Sequence, residues 1–224
     1  MSEMSDANRT ARDAVLARVR KALAKNGADP QAKAGADAYI AAHRQGPRPT
    51  MPADLRTRFI TRATDMSSTV ESIATLAEVP RAVARYLDTL GADALHSGVC
   101  WPEFAALDWA AAGLSIEPRA THGEDRLAIT GSFCAIAETG TILITTGAAS
   151  PTASALLPDT HVAIVRADRI VSGMEEALGL VRSEISAMPR ALNFISGPSR
   201  TGDIEQTIVL GAHGPFRVHL LVVG

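Results

Sequence analysis

The sequence predicts an α/β layer fold built on a largely parallel sheet, with a helical arm in front of it. Three observations carry that expectation. Short runs rich in β-branched residues, such as 141–145 and 161–165, are apolar without clean alternation, as in strands covered on both faces. Segments of helical period separate several of them, the order that produces layered α/β cores. The stretch 45–52 holds three prolines, so residues 1–48 are read as the arm and 49–224 as the core domain.

Within the arm, 6–26 reads as a helix because Val15, Val19 and Leu23 recur at i, i+4 and i+8, with Gly27 as its stop. An Ala-rich second helix is expected over 31–43. In the core, 55–62 is helical by period and 69–73 is a short strand. Pro80 suits a first helical turn, and the helix over 82–90 ends against Gly91. Strands are expected at 92–99 and 114–116 on either side of a helix near 104–111. Further strands follow at 128–129, 141–145 and 161–165. The longest core helix is expected over 170–188, closed by Pro189. The last strands are 191–195, 207–210 and 218–223.

Composition narrows the function. The chain has 224 residues, 46% apolar and 21% charged, enough for one substantial core. A net charge of −2 supplies no basic footprint for nucleic acid. No apolar run approaches the ~18–20 residues that cross a bilayer. No signal-peptide pattern follows Met1, and a cytoplasmic protein is expected. Cys100 and Cys134 stand alone, so they are read as buried small hydrophobes, and no four-cysteine cluster is expected on this chain. The three lysines are Lys21, Lys25 and Lys33, which takes lysine-based covalent chemistry out of the core.

Two polar segments interrupt the apolar pattern. In 195–205, Gly197 frees the backbone after a strand. Ser196, Ser199 and Thr201 offer hydroxyls there, Arg200 a fork of donors for a carboxylate or phosphate, and Asp203 a carboxylate. The loop is expected beyond the carboxyl end of its strand, where open α/β sheets bind ligands. It is not a nucleotide P-loop, since Asp203 stands where the lysine belongs. A tight connection with Ser, Thr and Asp capping backbone amides explains the same spacing. In 136–147, Glu138 is a lone carboxylate in an apolar stretch, followed by Thr139, Gly140 and Thr141. Burial would raise its pKa or demand a partner, for which Arg200 is the candidate, so Glu138 is either a catalytic acid or half of a structural salt bridge. His213, between Gly211 and Gly214, is an acid/base candidate or a hydrogen-bonded turn residue. The 122–125 run has metal-friendly side chains without a fixing spacing, and no metal site is expected.

The run Ala-Glu-Thr-Gly-Thr at 137–141, Leu-Pro-Asp-Thr-His at 157–161, Gly-Pro-Ser-Arg-Thr-Gly-Asp-Ile-Glu at 197–205 and Gly-Ala-His-Gly-Pro at 211–215 resemble, in order and spacing, the LUD-domain family in its lactate-utilisation branch. The resemblance implies a Rossmann-like core similar to the CoA-transferase-like superfamily. It also implies a part in oxidising L-lactate to pyruvate beside partner proteins that carry the iron–sulfur clusters, with no cofactor on this chain. The site it marks comprises Glu138, Thr139, Gly140, Thr141, Ser196, Gly197, Ser199, Arg200, Thr201, Asp203 and His213, and a small anionic metabolite is the expected ligand. Many relatives place an Arg between Glu-Thr-Gly-Thr and Leu-Pro, where this chain has Ser150-Pro-Thr-Ala-Ser154. If that Arg binds an anion, either Arg200 serves alone or another Arg substitutes. Two other readings stay open: a stand-alone acyl- or CoA-transferring enzyme with Glu138 as nucleophile, and an assembly protein that senses a metabolite.

Overall fold

The computed structural model describes residues 6–23, 29–91, 95–202 and 209–224. It separates into two compact units, 1–48 and 49–224. The first contains α1 (Asp6–Ala22) and α2 (Pro30–Ala41). Asp29 caps α2 through its side chain, and Pro30 occupies the first turn, where a missing N–H costs nothing. α2 buries no residue, and Val15, Val19 and Leu23 are exposed. The arm therefore has helices but no core of its own.

The second unit is organised by a six-stranded parallel sheet in the order β1-β12-β7-β4-β2-β3. Its strands are β1 (Thr69–Ile73), β2 (Ser97–Cys100), β3 (Ser115–Pro118), β4 (Leu127–Thr130), β7 (Thr160–Arg166) and β12 (Arg217–Val223). The central strands are buried along nearly their whole length, which explains their unalternating apolar pattern. A four-stranded sheet, β8-β5-β6-β9, is formed by β5 (Cys134–Ile136), β6 (Thr141–Thr145), β8 (Ile170–Val171) and β9 (Leu192–Ile195), with β6 antiparallel to both β5 and β9. A two-residue ladder joins β10 (Arg200–Thr201) to β11 (Val209–Leu210).

Of the helices, α3 (Leu55–Asp65) precedes β1 and buries Phe59 and Ala63. α4 (Val79–Asp88) is strongly amphipathic, burying Val79, Ala82, Val83, Tyr86 and Leu87 at helical spacing. The Tyr86 ring stacks on His219 of β12, centroids 3.9 Å apart. α5 (Ala153–Leu156) is a single turn, and α6 (Met174–Glu184) packs on the four-stranded sheet through Ala177 and Val181.

Several local expectations are corrected. The helix expected at 104–111 is two 3-10 turns, Pro102–Phe104 and Ala110–Ala112, separated by the Trp109 indole N–H donating to the Phe104 carbonyl at 3.0 Å. The helix expected over 170–188 is shorter. Ile170 and Val171 pair with β5 instead, and the helix begins only after Gly173. The strand expected at 92–99 starts at Ser97, and residues 92–94 lie outside the described residues. Both cysteines are free and buried, and burial pushes each thiol up to about 11.

Candidate functional site

The turn between β5 and β6 brings 137–140 against the end of α3. Gly140 has φ of +69°, and a Cβ there would meet Ala63 Cα at 2.7 Å, so the turn needs glycine twice over. That close approach fixes Thr139 and Thr141 on either side of the helix contact. Thr141 begins β6, and β9, paired with β6, ends one residue before Ser196. The register places three hydroxyls in a row: Thr139 Oγ1 lies 2.7 Å from Thr141 Oγ1, which lies 2.6 Å from Ser196 Oγ. Thr141 is buried, while Thr139 and Ser196 reach solvent. A chain of hydroxyls with both ends open can accept and donate in either direction along its length.

Gly197 continues the pattern. Its φ is +79°, and any side chain there would collide with the Met66 carbonyl at the end of α3. Arg200 donates to that same Met66 carbonyl at 2.9 Å and to the Ser67 hydroxyl. The Ser199 amide donates to the Pro215 carbonyl and its carbonyl accepts from Gly211, each at 2.9 Å, so the 211–215 loop is tied to the 197–201 loop through backbone. Thr201 lies in β10, opposite Val209.

Two expectations change here. The 197–201 loop follows the carboxyl end of its own strand, β9, as expected, but it does not lie at the carboxyl ends of the parallel strands. It rests on Met66 and Pro215, which immediately precede β1 and β12, and so occupies their amino ends. The reason is that β9, which delivers the loop, belongs to the four-stranded sheet and runs antiparallel to β6, so the parallel-strand rule does not govern it. Nor does Arg200 pair with Glu138. Its guanidinium instead binds the carbonyl of Met66, the C-cap residue of α3, and the Ser67 hydroxyl.

Glu138 is half-buried in the turn, its amide donating to the Ser172 carbonyl at 3.0 Å. Its carboxylate makes no hydrogen bond or ion pair among the described residues. His213 is exposed in the 211–214 bend. Asp203 lies outside the described residues. The structure therefore brings together Thr139, Gly140, Thr141, Ser196 and Gly197, with Ser199 and Arg200 alongside, and leaves His213 at the periphery. No group of three metal-ligating side chains is found among the described residues. The Asp125 carboxylate is instead gripped by Arg119, at 2.7 Å, which holds it down to about 2. The residues missed from sequence are Met66 and Ser67, which form the floor of the site. Their only signal was a Ser-Ser pair closing a helical run.

The second of the four segments that carry the resemblance, 157–161, plays a different part. His161 is fully buried on β7, with Nε2 2.8 Å from the Thr130 hydroxyl on β4, and desolvation lowers its pKa to about 4. His219 on β12 is similar: Nδ1 lies 2.8 Å from the Thr69 hydroxyl, and burial lowers it to about 4. Both are neutral sheet-bracing residues.

Residues 102–223 match the model of the LUD domain. A lactate utilization protein C from Deinococcus radiodurans is 34% identical over 185 residues, spanning 80% of this chain and 84% of that protein. The Bacillus subtilis lactate utilization protein C is 33% identical over 128 residues, about half of each chain (52% and 53%). The crystal structure of a DUF162 family protein from Deinococcus radiodurans, solved at 1.70 Å, superimposes with a TM-score of 0.60 at 28% identity, covering 79% of this chain and all of that one. The chain belongs to the LUD-domain family.

Proposed function

We propose that this protein acts in lactate utilization, as the component without iron–sulfur clusters in a cytoplasmic system that oxidises L-lactate to pyruvate, with residues 49–224 as its LUD domain. Its site binds a small anionic ligand at the Thr139–Thr141–Ser196 hydroxyls. What supports this most is the 2.6 Å contact between Thr141 and Ser196, which joins the two polar segments, 55 residues apart, into one polar row. The names of the relatives supply the pathway. The clusters that carry electrons would sit on partner proteins. The test is twofold. L-lactate or pyruvate should shift the amide resonances of Thr139, Thr141 and Ser196, and Thr141→Val should abolish those shifts. Deleting the gene should stop growth on L-lactate. A lactate-oxidising complex that keeps its activity without this chain would sink the reading.

One observation favours a second reading. The Glu138 carboxylate sits unpaired in a tight turn beside the hydroxyl row, a place where a nucleophile attacking a thioester carbonyl would sit. It predicts an acyl group on Glu138 with release of the free thiol. Intact-protein mass spectrometry after incubation with acyl-CoA, showing no adduct, would count against it.

A further inference from the structure

Arg200 spends its Nη2 on the end of α3, and that helix offers the proposed anion site a further source of positive charge. The helix on which the turn rests carries three arginines, of which Arg56 donates to the Gly224 carbonyl and Arg58 and Arg62 remain. Gly140 is pressed onto the backbone of Arg62 and Ala63, so Thr139 and Thr141 flank the point where α3 bears Arg62. Arg58 stands one turn earlier, and residues four apart share a helix face. Both side chains are half-buried. Both Nε–H donors are sealed from solvent and lack an acceptor among the described residues. Arg62 keeps an ion pair with Asp65 at 2.8 Å. Arg58 has no side-chain hydrogen bond or ion pair among the described residues. The neighbouring carboxylates do not serve it: Asp54 caps the Thr57 amide, and Asp65 faces Arg62.

A guanidinium carries five donors and cannot shed its charge, so losing part of its hydration without gaining acceptors is unfavourable. Two such donors on one face of the helix that carries the Thr139–Thr141 turn form the complement of a bidentate anion. We propose that Arg58, supported by Arg62, is the anion-binding element of this site, gripping the carboxylate or phosphate of a small ligand whose other polar atoms meet Thr139, Thr141 and Ser196. The assignment rests on the hydroxyl row being a ligand site.

The test uses the full chain and its Arg58→Gln, Arg62→Gln, Arg200→Gln and Thr141→Val variants. Each is titrated with L-lactate, pyruvate and inorganic phosphate by amide chemical shift, and melted without ligand. Comparing the carboxylates with phosphate identifies the anion class. Arg58→Gln should weaken the bound anion at least tenfold while its melting midpoint stays level or rises, since an unpartnered charge has been removed. Arg62→Gln should weaken binding less, and Arg200→Gln should lower the midpoint. Equal affinity in wild type and Arg58→Gln overturns the proposal, as does a lower midpoint in Arg58→Gln. Binding that survives Arg58→Gln but fails in Thr141→Val removes Arg58 and keeps the site. Failure of all three anions to bind the wild type removes both.

Discussion

Polar side chains are treated in opposite ways by the two sheets of the core. In the six-stranded sheet, His161 and His219 are sunk between strands. Each spends one ring nitrogen on a threonine hydroxyl and leaves the other, Nδ1 of His161 and Nε2 of His219, buried without a partner. In the four-stranded sheet, Thr139, Thr141 and Ser196 bond to one another and reach solvent at both ends of the row. The first arrangement excludes water and costs stability whenever a proton arrives. The second keeps exchangeable donors at the surface without stranding any of them. A polar group that braces a fold and one that meets a ligand are thus distinguished by access, even where both lie inside segments that carry the resemblance.

The contrast can be broken first by acid. A neutral histidine whose pKa falls from 6.5 unfolded to about 4 folded stabilises the fold fully above pH 6.5. Between 6.5 and 4 the unfolded chain binds more protons, so that stability is lost as pH falls through this window. The loss is about 3 kcal/mol per histidine at 1.36 kcal/mol per pKa unit. Urea midpoints measured from pH 7 to pH 4 should fall steeply. A flat profile would mean the two rings are not buried as described.

Next in size is Gly140→Ala. It combines a positive φ with a collision against the backbone of α3 and should cost about 3 kcal/mol, read from the denaturant midpoint. Thr141→Val removes the centre of the hydroxyl row while preserving shape. Because Thr139 and Ser196 can turn to water, its cost should be only about 1 kcal/mol, far below that of acid on the histidines. A cost above 3 kcal/mol would show the row to be a structural brace like the histidines. The smallest effect, and the control, is Gly179→Ala in α6. It meets nothing within 4 Å and should raise stability by about 0.5–1 kcal/mol.

Much of this architecture was legible in the sequence because the responsible forces are local. Strands β1 and β6 begin and end where their β-branched runs do. The turns at Gly140 and Gly197 lie where glycine interrupts an apolar pattern. The short strands β5 and β8 were not legible. Their residues read as helix or as nothing: β8 is a strand through its pairing with the distant β5, Ala135 opposite Ile170, and β5 is held between β8 and its near neighbour β6. The site was half legible for the same reason. Thr139, Thr141, Ser196 and Gly197 stand out in polar segments. The opposing surface is the end of a helix whose sequence looks like any basic amphipathic helix, and only tertiary packing turns Met66, Ser67, Arg58 and Arg62 toward the story. The expected pairing of Arg200 with Glu138 is replaced by contacts to Met66 and Ser67, because a guanidinium suits a helix terminus as well as a carboxylate.

Strand β12 occupies the second position of the six-stranded sheet, between β1 and β7, and joins Thr69 to His219 across 150 residues of chain. During synthesis, β1 and β7 therefore have no native way to approach one another until residue 223 has cleared the ribosome tunnel. Until then the main sheet has an open seam through its middle, and the edges held open in the meantime are where a chaperone would be needed.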